Sequence, residues 1–120
     1  MNWNIEFYRK ENGDTPAFDF IKSLPEKLMA KTFSEIELLE KFGTQLREPY
    51  VKAIQGKRYD GLWELRVKFS SDNVRIFYFT LHANTFILLN GFLKKSNTTP
   101  KRELERALQY MNDYKRRTQK

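Results

Sequence analysis

Three strand-like segments fill most of residues 62–93 and restrict the fold more than any other feature of the chain. They read LWELRVKF at 62–69, VRIFYFTL at 74–81 and TFILLNGFL at 85–93, and all are rich in aromatic and β-branched residues. The segments between them, SSDN and HAN, have the length and the residue types of hairpin turns. The pattern predicts an antiparallel meander, with its last strand, apolar on both faces, at the centre of a sheet.

The first 43 residues predict one strand followed by a helical hairpin. Apolar and polar residues alternate from Trp3 to Arg9, which is typical of a strand. Thr15 followed by Pro16 is a helix start. A second helix is expected from Pro25 to about Phe42, with Gly43 as its C-terminal cap.

The rest of the chain completes an α+β fold. VKAI at 51–54 is either a short edge strand or a loop, because Pro49 interrupts the pattern before it. Thr99 and Pro100 repeat the helix-start signal before a final amphipathic helix. The expected order is β-α-α-β-β-β-α: a mostly antiparallel four-stranded sheet, an N-terminal helical hairpin and a C-terminal helix, with the helices on one face. The length of 120 residues predicts a single domain, 1–120.

Composition excludes several classes of protein. The chain has no cysteine and one histidine, so neither disulfides nor a metal site are expected, and the five glycines form no phosphate-binding or dinucleotide motif. We therefore expect no cofactor. The N-terminus has no secretory pattern, and no apolar run reaches the roughly 18 to 20 residues that span a bilayer. The expected location is the cytoplasm, without a membrane partner.

The positive charge is concentrated in the C-terminal part of the chain. The formal net charge is +7, residues 1–50 hold seven basic and nine acidic side chains, and residues 51–100 hold eight and three. A surface of one sign attracts polyanions, although a basic, solvated surface has the same composition. A polyanion bound by one part of the fold is the partner that this asymmetry suggests.

Two arginines lie inside the most strand-like segments, where a guanidinium must reach water or an anion. Period-two alternation places Glu64, Arg66 and Lys68 on one face of their strand. A two-residue turn at Ser71 and Asp72 would set Lys68 opposite Arg75 and Arg66 opposite Phe77, all on one side.

Like charges that face each other destabilise a sheet, so this cluster indicates either an anion site or a pair of exposed surface arginines. Lys94 and Lys95 follow the last strand, next to a helix start, and would extend an anion site. Phe77 and Phe79 lie on the arginine side as well, and either the final helix or a partner is expected to cover them.

Four motifs in succession resemble the RelE/ParE superfamily of bacterial toxins, and within it the HigB-like, phage-derived group. They are LWELR at 62–66, VRIFYF at 74–79, ILLNGFLKK at 87–95 and TPKRELERA at 99–107. The resemblance extends over nearly the whole chain and implies a RelE-like fold. It also implies a toxin that cleaves mRNA in the ribosomal A site without a metal and is silenced by a cognate helix-turn-helix antitoxin.

The resemblance assigns roles to single residues. Arg75 matches the arginine expected to stabilise the phosphorane, Arg66 matches the arginine of the ELR motif, and Lys94 or Lys95 matches the basic residues after the last strand. RelE itself has lysines where this chain has Leu62 and Glu64, which leaves the general base open. The candidates are a crowded lysine, whose pKa like charges would lower, or a carboxylate; they are Lys68, Lys94, Lys95 and Glu64.

Further cations are candidate RNA contacts. These are Lys57, Arg58, Lys101 and Arg102, which the ribosome or the mRNA would meet outside the reacting centre. The alternatives to a nuclease are a gyrase inhibitor of the ParE type, which shares the fold, and a nucleic-acid-binding module without catalytic activity.

Overall fold

The computed structural model describes residues 3–82 and 84–118, which form five strands and three α-helices. The strands are β1 (Asn4–Phe7), β2 (Val51–Ala53), β3 (Trp63–Phe69), β4 (Asp72–Leu81) and β5 (Thr85–Leu93). The helices are α1 (Pro16–Lys22), α2 (Glu26–Phe42) and α3 (Lys101–Thr118). Of the predicted HAN turn, Ala83 lies outside the described residues.

The five strands form one mixed sheet in the order β1-β5-β4-β3-β2. The prediction of four mostly antiparallel strands in the order β-α-α-β-β-β-α was wrong in two respects. Val51–Ala53 forms an additional edge strand, antiparallel to β3, and β1 pairs with β5 in parallel. A parallel pair needs a long crossover, which the intervening chain supplies here. The predicted central place of β5 is confirmed, because β1 and β4 flank it.

Helices cover both faces of the sheet, so the expected arrangement on one face was also wrong. The hairpin of α1 and α2 packs Ala17, Ile21 and Leu39 against the face that carries Leu65 and Ile76. On the opposite face, α3 packs its apolar side against β4 and β5; the buried residues there include Ala107, Met111, Phe77 and Phe79. The two phenylalanines on the arginine side are therefore covered by the final helix. Both faces of β4 and β5 are apolar, and two helical layers are needed to bury them.

The β3–β4 hairpin turns on Ser70 and Ser71, one position earlier than predicted, and Ser70 has a positive φ of 56°. Arg66 consequently lies opposite Arg75, and Lys68 lies opposite Asn73. The predicted pairing of Lys68 with Arg75 was wrong. The earlier turn changes the β4 residue opposite each β3 residue by two positions. Because side chains alternate with a period of two, every side chain stays on the face that was predicted for it.

A β-bulge interrupts the pairing of β4 with β5. Phe77 pairs with Asn90 while its neighbour Tyr78 pairs with Leu88, so Leu89 has no partner on β4. A single extra residue reverses the alternation of the strand beyond it. Even-numbered residues of β5 after the bulge therefore lie on the face that α3 covers, as Phe92 does.

The predicted helix boundaries agree closely with the structure. Helix α1 begins at Pro16, α2 ends at Phe42 before a capping Gly43 with a φ of 57°, and α3 begins one residue after Pro100. Within the described ranges, none of the helices combines the length and apolarity that crossing a membrane requires.

Candidate active site

Glu64 on β3 holds two guanidinium groups on the sheet face that α3 covers in part. Its Oε2 accepts a hydrogen bond from Arg66 Nε at 3.2 Å and lies 3.1 Å from Arg66 Nη2. Its Oε1 lies 3.5 Å from Arg75 Nε, but without hydrogen-bond geometry, so both of these buried atoms lack a hydrogen-bond partner. One carboxylate thus lies within ion-pair distance of two arginines that face each other across neighbouring strands.

Arg75 is the most enclosed cation of the group, with 12% of its side chain exposed compared with 26% for Arg66. Burial lowers the pKa of Arg75; the nearby positive charge of Arg66 lowers it further, and Glu64 opposes both effects. A guanidinium stays protonated nevertheless, so the site keeps two positive charges and one negative charge. An anion from outside the fold would complete this balance.

Lys94 adds a third cation just beyond β5. Its backbone N–H donates to the carbonyl oxygen of Asn73 at 2.8 Å, which continues the β4–β5 pairing. Desolvation lowers the pKa of Lys94, and the positive charge of Arg75 lowers it further. A lysine with a lowered pKa is more often neutral near physiological pH and can then accept a proton.

Two surface depressions meet at Arg75. The Lys94 depression, about 420 Å³, includes Ser71, Asn73, Arg75, Lys94 and Lys95. The Tyr50 depression, about 400 Å³, includes Lys31, Glu35, Tyr50, Arg66, Lys68 and Arg75. Arg75 and Asn73 line both.

All six predicted catalytic residues lie in this region, four as an interacting group and two as exposed residues that line the depressions. Glu64, Arg66, Arg75 and Lys94 act on one another electrostatically. Lys68 and Lys95 are exposed and line one depression each. The catalytic roles themselves remain predictions.

Lys52 on β2 is a site residue that the sequence reasoning missed. It pairs with Glu64 and therefore lies on the same face, and its charge contributes to lowering the pKa of Lys94. The alternation of VKA, with a lysine between two apolar residues, is the signal that would have found it, had the segment been assigned to a strand.

The four predicted RNA contacts lie elsewhere, because none of them lines either depression. Arg58 donates two hydrogen bonds to the carboxylate of Glu105, one of them from Nε to Oε2 at 2.8 Å. Lys57 and Lys101 are exposed. Arg102 is exposed and lines a separate groove along α3 together with Arg58. As for metal ligands, the described ranges hold no group of three or more His, Cys, Asp or Glu side chains suited to a metal ion.

The fold agrees with a known class of proteins, the RelE-like toxins. Residues 19–112 match the family described as Phage derived protein Gp49-like (DUF891), and this match extends over more than half of the chain. The chain therefore belongs to the Gp49-like family. That family is part of the RelE/HigB-like toxins of toxin–antitoxin systems, which implies a cognate antitoxin as partner. No curated protein matches the chain.

Proposed function

We propose that this chain is a single-domain, HigB-like toxin that cleaves mRNA on the ribosome. The observation that carries the proposal is Arg75: a largely buried guanidinium whose Nε has no hydrogen-bond partner, located where two depressions meet. Such a group is costly to the fold unless a ligand uses it. A phosphate fits a guanidinium fork, because it can accept two parallel N–H hydrogen bonds from it.

The reaction proposed is attack of a ribose 2′-hydroxyl on its own 3′-phosphate. The O2′–P bond forms, the P–O5′ bond breaks, and the products are a 2′,3′-cyclic phosphate and a 5′-hydroxyl. Negative charge increases on the phosphoryl oxygens in the transition state. Arg75 and Arg66 are held for those oxygens before the substrate binds, so little reorganisation is needed.

Proton transfer is assigned to Lys94. In its neutral form the amine takes the proton of the 2′-hydroxyl, and the ammonium then formed returns a proton to the leaving O5′. Glu64 is the second candidate base, but its two oxygens face the two arginines, which favours a positioning role. Lys68 and Lys95 are exposed and line one depression each, and we rank them below Lys94 as candidate bases.

The exposed cations Lys57, Lys101 and Arg102 are proposed to contact ribosomal RNA. Arg58 should contribute less, because its charge is paired with Glu105. Such contacts add affinity that depends on salt but not on sequence. Action on ribosomes would make the cytoplasm the site of function. The antitoxin is expected to be a helix-turn-helix protein.

The test is expression of the wild-type chain in bacteria, followed by mapping of mRNA 5′ ends with translation running and with initiation blocked. New 5′-hydroxyl ends within reading frames, found only during translation, are the expected result. DNA supercoiling is measured in the same cells. Growth arrest with intact mRNA and altered supercoiling would instead identify a gyrase inhibitor.

A further inference from the structure

Glu35 lines the Tyr50 depression and has a buried carboxylate oxygen that the fold leaves without a donor. Glu35 on α2 is 7% exposed in its side chain, and its Oε1 lies 3.0 Å from Lys31 Nζ. Its Oε2 is buried and has no hydrogen-bond partner. A carboxylate oxygen in this condition is costly, so a donor from outside the fold would be a physical reason for keeping it.

Three of the unsatisfied buried side-chain atoms belong to Arg75, to Glu64 beside it, or to Glu35, which lines a depression with it. In residues 3–82 and 84–118 there are four such atoms: Glu35 Oε2, Glu64 Oε1, Arg75 Nε and Asn90 Oδ1. The atoms of Arg75 and Glu64 belong to the proposed phosphate site. The Glu35 oxygen belongs to the wall of the depression next to it.

The same depression offers an aromatic surface. Tyr50 is 42% exposed although it is a large aromatic residue, and it lines the depression with Arg66. Its backbone is fixed, because Arg66 N–H donates to the Tyr50 carbonyl oxygen at 2.8 Å. Unpaired RNA bases stack on aromatic rings and on guanidinium planes. A base beside the scissile phosphate would find both surfaces here.

We propose that the Tyr50 depression binds a guanine base, one of the two nucleotides that flank the phosphate at Arg75. This inference rests on the proposed function for the position of the phosphate. The Watson–Crick edge of guanine presents N1–H and N2–H donors side by side, and Glu35 accepts from them. Lys31, whose side chain is 40% exposed, is free to turn from Glu35 to the neighbouring O6.

Guanine fits this pair of charges better than the other bases. A carboxylate needs donors, and guanine is the base that sets a ring N–H and an exocyclic amino group next to each other. Adenine and cytosine present only an amino group on this edge, and uracil only a ring N–H. A hydrogen bond to a charged group favours the matching ligand by about tenfold or more.

The test is a binding measurement that needs no catalysis. The purified chain is titrated with guanosine, inosine, adenosine, cytidine and uridine monophosphates, as 3′- and as 5′-phosphates, and affinities are read from NMR chemical shifts. Inosine lacks only the N2 amino group. Guanosine is expected to bind about tenfold more tightly than inosine in one of the two phosphate series. Equal affinities in both series would overturn the subsite.

Two variants on α2 complete the design. Glu35→Gln keeps the shape but loses the charge, and the preference for guanosine is expected to fall below about twofold. Glu37→Gln changes an exposed carboxylate of the same helix and is expected to keep it. A Glu35→Gln chain that is folded by NMR and retains the full preference refutes the proposal.

The outcomes separate the two proposals. Guanosine preference without mRNA cleavage in cells would preserve the subsite and reject the nuclease. Cleavage without any enrichment of guanine beside the cut, together with equal affinities for guanosine and inosine, would preserve the nuclease and reject the subsite.

Discussion

Replacement of Arg75 by methionine should greatly reduce the rate of mRNA cleavage and leave the stability of the fold nearly unchanged. Methionine keeps an unbranched stem of similar length and removes the charge. In the fold, Arg75 faces Arg66 directly across the strand pair, and relief of that repulsion should contribute up to about 1 kcal/mol. The attraction that is lost is the 3.5 Å contact with Glu64, which lacks hydrogen-bond geometry. Glu64 keeps its hydrogen-bonded pairing with Arg66, so no buried carboxylate is left unpaired and the loss should be about 1 kcal/mol. The free energy of unfolding should therefore change by no more than about 1 kcal/mol.

Activity should respond very differently. Removal of one preorganised donor to a transition-state oxyanion costs about 100- to 1,000-fold in rate. We expect Arg75→Met to reduce mRNA cleavage in a translating extract by that factor, and to relieve growth arrest on expression. Urea unfolding, followed by circular dichroism, supplies the stability.

Two control variants make the comparison sharper. Arg66→Met removes a hydrogen-bonded ion pair with Glu64, and its partial exposure limits the loss of stability to about 1 kcal/mol. Lys27→Met removes an exposed cation of α2 that lines neither depression and should change nothing. If Arg75→Met unfolds more easily by over about 2 kcal/mol, Arg75 is a structural residue, and if it cleaves within about threefold of the wild-type rate, the assigned role is wrong.

Four further outcomes follow from the structure. The lowered pKa of Lys94 means that its neutral form begins to increase at a lower pH than for an ordinary lysine, so the wild-type cleavage rate should climb as pH rises above neutrality, whereas Lys94→Arg should give a flat profile. In the same range the free energy of unfolding should rise with pH, because the unfolded chain holds this proton more strongly than the folded one. Arg102→Ala should weaken ribosome binding and lower its log–log salt slope by about one, while Arg58→Ala, whose charge Glu105 already neutralises, should have a smaller effect in the same sedimentation assay. Gly91→Ala would bring a Cβ within 2.6 Å of Ile76 Cδ1 and 2.7 Å of Phe20 Cδ2, and a loss of about 1–3 kcal/mol in urea unfolding is expected; an unchanged midpoint would show that this packing relaxes freely.

Local patterns predicted most elements of the fold, because their causes are local. Alternation and turn residues located β5 at residues 85–93, and the Thr15–Pro16 start and Gly43 end located the helical hairpin. Pairing between distant segments has no such local signal. The parallel contact of β1 with β5 joins residues about eighty positions apart, and nothing in WNIEF distinguishes one partner strand from another.

The hairpin register was wrong for a different reason. SSDN contains four turn-forming residues and no glycine, so several two-residue turns are possible, and the structure places the positive φ on a serine. The predicted face of Arg66 and Arg75 was still correct, because a change of two positions in the opposite strand keeps the alternation of side chains. The grouping of the arginines could therefore be predicted, whereas the direct pairing of Arg66 with Arg75 could not.

The depressions on either side of Arg75 lie beyond what the sequence could indicate. The Tyr50 depression joins Glu35 of α2 to the strand that carries Arg66, and this contact depends on how the helical hairpin lies across the sheet. Lys52 was missed because its strand is only three residues long. Short edge strands carry too few alternating positions to be recognised by period alone.

The bulge at Leu89 gives the end of β5 a particular sensitivity to chain length. Beyond it, even-numbered positions share a side with Arg75, and Lys94, aligned with Asn73, continues that phase. Deletion of one residue of β5 beyond the bulge would reverse the alternation that follows it. Lys95 would then lie on the same side of the sheet as Arg75, in the place of Lys94. A change of one residue in the length of this strand would thus place one lysine where the other had been. A relative with only one lysine after the strand should therefore keep the same number of residues between the bulge and that lysine.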